Sequence, residues 1–69
     1  MKRTTIKHIS NIPHYSEAIK AFREYTTKCG YLASESANER NVTFVLHYDN
    51  SADYTYIEVA YNMAMCGEL

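Results

Sequence analysis

The sequence predicts an α+β fold, with a single helix packed on a three- or four-stranded antiparallel sheet in the order β-α-(β)-β-β. Three observations lead there: helical spacing of apolar residues over 16–29, alternating apolar runs over 42–48 and 54–61, and a β-branched opening over 3–9. With 69 residues, the chain is read as a single compact domain spanning residues 1–69, since so short a chain has room for only one core. A core of this size removes only about 60% of the unfolded surface from water, so a partner or a staple is a common supplement.

Each element has its own justification. In residues 3–9, Thr4, Ile6 and His8 fall on one side of a strand, which is placed at a sheet edge; Asn11 and Pro13 then break it, because proline has no amide to donate. The helix is expected over 16–29, with Ser16 as cap, Glu17 near the positive end of the dipole, Lys28 near the negative end and Gly30 as the stop. A start at Pro13 is the alternative. Ala18, Ile19, Phe22, Thr26 and Cys29 form its apolar stripe, with Tyr15 and Tyr25 at the margins.

Residues 31–35 are a weaker strand candidate, and 36–41 read as a loop. Val42, Phe44, Leu46 and Tyr48 alternate with Thr43, Val45 and His47, and Thr55, Ile57, Val59 and Tyr61 alternate with Tyr54, Tyr56, Glu58 and Ala60. The turn-rich residues 49–53 between them make these runs a hairpin. A helix with Ala52, Tyr56, Val59, Ala60 and Met63 on one side competes for the second run, but its β-branched and aromatic density favours a strand. Residues 62–69 are a short helix or a frayed end.

Register then decides the exposed surface. Pairing Asp49 with Tyr54 puts Val42, Phe44, Leu46, Tyr48, Ile57, Val59 and Tyr61 on the face the helix covers. The opposite face collects Thr43, Val45, His47, Tyr54, Tyr56 and Glu58. A register one residue longer leaves a greasy sheet face and a drive to dimerise.

Net charge is −1, which argues against a protein held on nucleic acid by bulk positive charge. The charge is unevenly spread. Residues 1–34 carry six cations against Glu17 and Glu24, for +4; residues 35–69 carry Arg40 against six carboxylates, for −5. Cys29 and Cys66 form no CxxC pair, and no apolar run has the length of a signal peptide or a membrane span, so a reduced, cytoplasmic protein without membrane contact is expected.

No residue pattern calls for a cofactor or a metal. Asp49, Ser51 and Asp53 match the start of a calcium loop, but Tyr54 stands where its glycine belongs and Ala60 where its bidentate carboxylate belongs. His8, His14, His47, Cys29 and Cys66 lack zinc-ligand spacing. There is no glycine-rich phosphate cradle and no nucleophile motif, and catalysis is not expected. In outline, the helix over 16–29 followed by strands looks like a double-stranded RNA-binding domain. The basic tract opening that family's last helix and its Gly-Pro-rich, histidine-bearing loop are absent, so no RNA-contacting residue is assigned.

The function expected from these features is that of a small non-enzymatic protein-binding module, a modulator or inhibitor that occupies a surface of a larger protein or nucleoprotein machine. Tyr54 and Tyr56 would be its anchors, His47 and Glu58 its polar rim, and Asp49 and Asp53 the charges steering it to a basic partner. In composition the chain resembles small accessory proteins of mobile genetic elements, an analogy that names no target. Two alternatives stand beside this reading. One is a homodimeric regulatory or structural subunit; the other is a nucleic-acid binder using Lys2, Arg3, Lys7 and the helix cations.

Overall fold

The computed structural model describes residues 2–10, 14–37 and 41–69. Its elements are β1 (Arg3–Ser10), α1 (Tyr15–Lys28), β2 (Leu32–Ala37), β3 (Asn41–Tyr48) and α2 (Ser51–Met65). The fold is α+β, with a three-stranded antiparallel sheet in the order β1-β3-β2. The element order is β-α-β-β-α, with two helices where one was expected.

β3 is the centre of the sheet and shows the expected alternation: Val42, Phe44 and Leu46 are buried, and Thr43, Val45 and His47 are half-buried. β1 runs along it from Arg3 opposite Tyr48 to Ser10 opposite Asn41, as an edge strand. Thr4, Ile6 and His8 do share a side, and it is the open one: Ile6 is 53% exposed, while Ile9 on the other face is fully buried. β2 forms the second edge and extends to Ala37, two residues beyond the expected strand. A bulge between Leu32 and Ser34 interrupts its register with β3. The expected tip of the 36–41 loop, residues 38–40, lies outside the described residues, as does the break at 11–13.

α1 begins one residue before the expected start, and Ser16 is not its cap. His14 holds that position without capping the helix; its Nε2 instead makes a 2.9 Å hydrogen bond with the Met65 carbonyl at the end of α2. The C-terminus closes as Gly30 suggests. Gly30 takes φ +77, its amide donates to the Thr27 carbonyl, and the Tyr31 amide donates to that of Thr26. α2 ends the same way at Gly67, with bonds to Ala64 and Met63. Each helix therefore finishes on a Cys-Gly pair, with an exposed cysteine at the C-cap. The helices run antiparallel, since Tyr31 after α1 meets Asp53 at the start of α2 while His14 meets its end. Cys29 and Cys66 thus sit at opposite ends and remain free thiols.

The expected second hairpin arm is the main correction. Residues 54–61 lie within α2, so the Asp49–Tyr54 register does not exist, and β3 pairs with β1 and β2 instead. The outline shared with double-stranded RNA-binding domains loses its third strand with it. Two local features outweigh strand propensity. The Asn50 side chain accepts the Asp53 amide at 3.0 Å, a proper N-cap, and Gly67 supplies the stop. Between these ends Ile57, Ala60 and Ala64 recur at helical spacing and are all buried.

The tertiary reason is the width of the sheet. Strands lie about 4.8 Å apart and a helix with its side chains is about 10 Å across, so one helix leaves part of a three-stranded face uncovered. Both helices sit on the same face, over Ile9, Val42, Phe44 and Leu46. Phe22 of α1 meets Phe44 of β3 edge-on at 5.0 Å and Tyr61 of α2 at 5.8 Å. Ala18 of α1, with Ala60 and Ala64 of α2, keeps the helix layer thin. Thr26 is the one buried polar residue among those described, and its hydroxyl donates to the Phe22 carbonyl at 2.8 Å. Phe22→Ala is expected to cost about 3–5 kcal/mol, the range for deleting a buried aromatic ring. Urea denaturation would show this as a large fall in the midpoint, whereas Phe22→Leu should lose distinctly less.

Candidate functional site

The residues expected to form the binding surface are distributed over four places. His47 lies on the open face of the sheet opposite Thr4, with its amide donating to the Tyr31 carbonyl at 2.8 Å. Asp49 is exposed in the turn between β3 and α2. Asp53 is in the first turn of α2, where its carboxylate accepts from the Tyr31 hydroxyl at 3.0 Å and from the Asp49 amide at 3.4 Å. Tyr54, Tyr56 and Glu58 are on α2, where two residues are about 200° of rotation, so Tyr54 and Tyr56 look in opposite directions. Both rings reach solvent, but not together.

Tyr54 and Glu58 turn toward β1, where they meet Lys7. The Lys7 ammonium is ion-paired with the Glu58 carboxylate and lies 5.1 Å from the centre of the Tyr61 ring and 5.9 Å from that of Tyr54. Tyr54 also leans on Tyr48, ring centres 5.4 Å apart. Beside this cluster the Tyr61 hydroxyl donates to the His8 carbonyl on the same edge strand. An inward-pointing lysine and a covered carbonyl are devices that keep an edge strand from pairing with strangers. The hydrogen bond from Lys7 holds the Glu58 carboxyl below its ordinary value, against burial, which pushes the other way; Tyr54 adds a smaller pull in the same direction as Lys7. Glu58 is therefore committed within the fold and is not a free rim contact.

Tyr56 has different neighbours. With Ala52, Val59 and Met63 it forms a strip along the outward side of α2, at spacings of four, three and four residues. Tyr56 is 56% exposed, Val59 50% and Met63 37%. Ser51, Thr55, Asn62 and Cys66, the other exposed residues beside the strip, carry no charge. The helix has only two acids and no base, and both acids point elsewhere: Asp53 to Tyr31 and Glu58 to Lys7. Tyr25 of α1 borders the strip, and burial raises its phenol, with Cys29 and Tyr56 contributing less. Val59 and Met63 escape a strand-based reading of the sequence; their signal is the competing helix that puts Ala52, Tyr56, Val59, Ala60 and Met63 on one side, of which the structure buries Ala60.

The remaining features are less specific. A groove of about 510 Å³ beside α1 has Tyr15, Ile19 and Val42 among its walls, with Lys20, Arg23 and Glu24 at its rim. A hollow of about 160 Å³ lies between Ala18 and Ala21 of α1 and Ala64 of α2. Arg23 makes a two-pronged bond to Glu35 of β2, at 2.8 and 2.6 Å. Among the described residues, no three His, Cys, Asp or Glu side chains gather as metal ligands, and no helix is long and apolar enough to cross a membrane. No protein-family model matches the chain, and no curated protein or solved structure is detectably similar to it.

Two pH limbs follow from this geometry. Because the folded Glu58 carboxyl sits below its unfolded value, its contribution is present above the ordinary range near about 4.3 and is lost as pH falls through the folded value. Stability of Glu58→Gln, measured by urea denaturation across pH 3–7, should fall less on acidification than that of the parent. Tyr31 shows the opposite sense. Burial, then its bond to Asp53, pushes the phenol up to about 12, so its contribution is complete below about 10 and lost as pH rises from there toward 12. Tyr31→Phe should flatten that alkaline limb.

Proposed function

We propose that the chain is a non-enzymatic protein-binding module that presents the outward face of α2 to a protein partner, modulating or blocking a surface of a larger protein or nucleoprotein assembly. The observation that carries this reading is the uncharged strip of Tyr56, Val59 and Met63 on a rigid helix. Water-exposed helix faces are normally polar, and a helix apolar on all sides is normally covered. Aromatic and methionine side chains are the residues enriched at interface centres. Amphipathic helices dock through anchors at this spacing into apolar grooves.

Asp49, exposed at the head of α2, places a negative charge near one end of the strip. That suits a groove with a basic margin, where the charge would speed encounter more than it would add affinity. Tyr56 keeps the anchoring role, with Val59 and Met63 replacing Tyr54 beside it. Two of the cations that a nucleic-acid reading would use, Lys7 and Arg23, are already bonded to carboxylates, which weighs toward a protein partner.

The test is affinity capture by the full chain in its native cells, with the captured protein identified by mass spectrometry. Tyr56→Ala combined with Met63→Ala should weaken binding at least tenfold, about 1.4 kcal/mol. Tyr54→Ala, which faces β1, should leave capture unchanged. Undiminished binding by the double variant, with its circular dichroism intact, would count against this face.

A further inference from the structure

We infer that the β2 edge of the sheet takes up an extended segment of a partner protein as a fourth strand, with one apolar side chain of that segment seated in the groove beside α1. The inference is independent of the α2 face. The two edges of the sheet differ. β1 points Lys7 inward and has its His8 carbonyl bonded by Tyr61. β2 reads LASESA, with no lysine and no proline, and residues 33–37 are all exposed. Which of its backbone groups are open follows from the register. The His47 amide bonds to Tyr31, and the pairing of β3 with β1 is unbroken, so Thr43, Val45 and His47 turn their backbone groups to β2. Their partners Ser34 and Ser36 face β3 in return, and Glu35 and Ala37 direct N–H and C=O away from the sheet. The bulge between Leu32 and Ser34 lies at the other end and leaves residues 34–37 in register. Two donors and two acceptors at this alternation match another extended backbone.

Side chains specify the segment. Ile9, Val42 and Ala37 form one row across the helix side of the sheet. Ile9 and Val42 are buried, while Ala37 is exposed and ends the row in a methyl group. The residue of an added strand opposite Ala37 continues the row toward the groove of about 510 Å³ walled by Tyr15, Ile19 and Val42. The bonds from Arg23 to Glu35 show that this side of α1 overhangs β2. The end of the groove nearest the start of α1 is positive. Lys20 at its rim is exposed and in no ion pair among the described residues, and α1 begins without a side-chain cap, which leaves the positive end of its dipole open. The charge of Arg23 is met by Glu35, and Glu24 lies one turn further along the helix. The segment therefore carries an acidic and an apolar side chain separated by one residue, the apolar one opposite Ala37 and the acid toward Lys20. In strand addition of this kind main-chain bonds give affinity and alternate side chains give selectivity.

The test uses a phage-displayed library of random peptides, panned on the full chain. Selected peptides should carry an acid and an apolar residue at alternate positions. The tightest of them should slow hydrogen exchange at the Glu35 and Ala37 amides, as read by NMR. Methylating its backbone nitrogens on the edge that meets β2 should abolish binding, and methylating those on the other edge should not. Ala37→Leu fills the seat and Lys20→Glu reverses the charge; both positions are exposed, so the spectra should otherwise remain those of the parent. Each should weaken the peptide about tenfold or more. Tyr56→Ala combined with Met63→Ala should leave it unchanged. Selection of no peptide, binding that moves the α2 resonances and leaves those of β2 in place, or indifference to N-methylation overturns the inference. Exchange at these amides that slows with protein concentration alone would put a second copy on the edge and overturn it too. The α2 face is judged separately, by capture through Tyr56 and Met63.

Discussion

Phe22 is the joint on which the remaining architecture depends. Its ring meets Phe44 edge-on below and Tyr61 edge-on at the side, so one side chain of α1 is in contact with both the central strand and the second helix. The geometry places the positive rim of one ring on the negative face of another, which adds to the burial of apolar area. From this contact the division of the sheet between two helices follows. α2 then has one side against the core and another left over, and the leftover side is the candidate interface.

Much of the framework can be read from the chain itself. The alternation of Val42, Phe44 and Leu46 requires a strand with one buried face, and β3 has it. Gly30 closes α1 because only a residue without a side chain takes its backbone angle at little cost. The failure at 54–61 has an identifiable cause: Ile57, Val59 and Tyr61 fit a period of two, whereas Ile57, Ala60 and Ala64 fit a helix, and short apolar runs support both. The Asn50 cap and the second Cys-Gly pair could have decided the matter, because they repeat the signals that end α1. Propensity for strand is a statement about packing on a pleated surface, and here the packing partner was a helix layer.

The candidate site divides along the same line. Tyr56 is exposed and unengaged by the sheet, which a count of tyrosines could suggest. The roles of Tyr54 and Glu58 could not be read locally, because Lys7, which engages both, is 51 residues from Glu58. A lysine in a run of alternating residues reads as a solvated side chain until the element above it is known. Once α2 lies over β1, the ammonium needs a counter-charge and finds it. Ser16 is not the cap because α1 begins at Tyr15, and His14, at the cap position, is bonded to a carbonyl of the other helix.

The bonds from β1 and His14 to α2 connect positions 51 to 53 residues apart. Closing a loop of that length costs entropy that these contacts must offset. Without α2, β1 would present a cation on its interior side and an uncovered carbonyl at its edge. The strand that opens the fold is thus finished by its last helix.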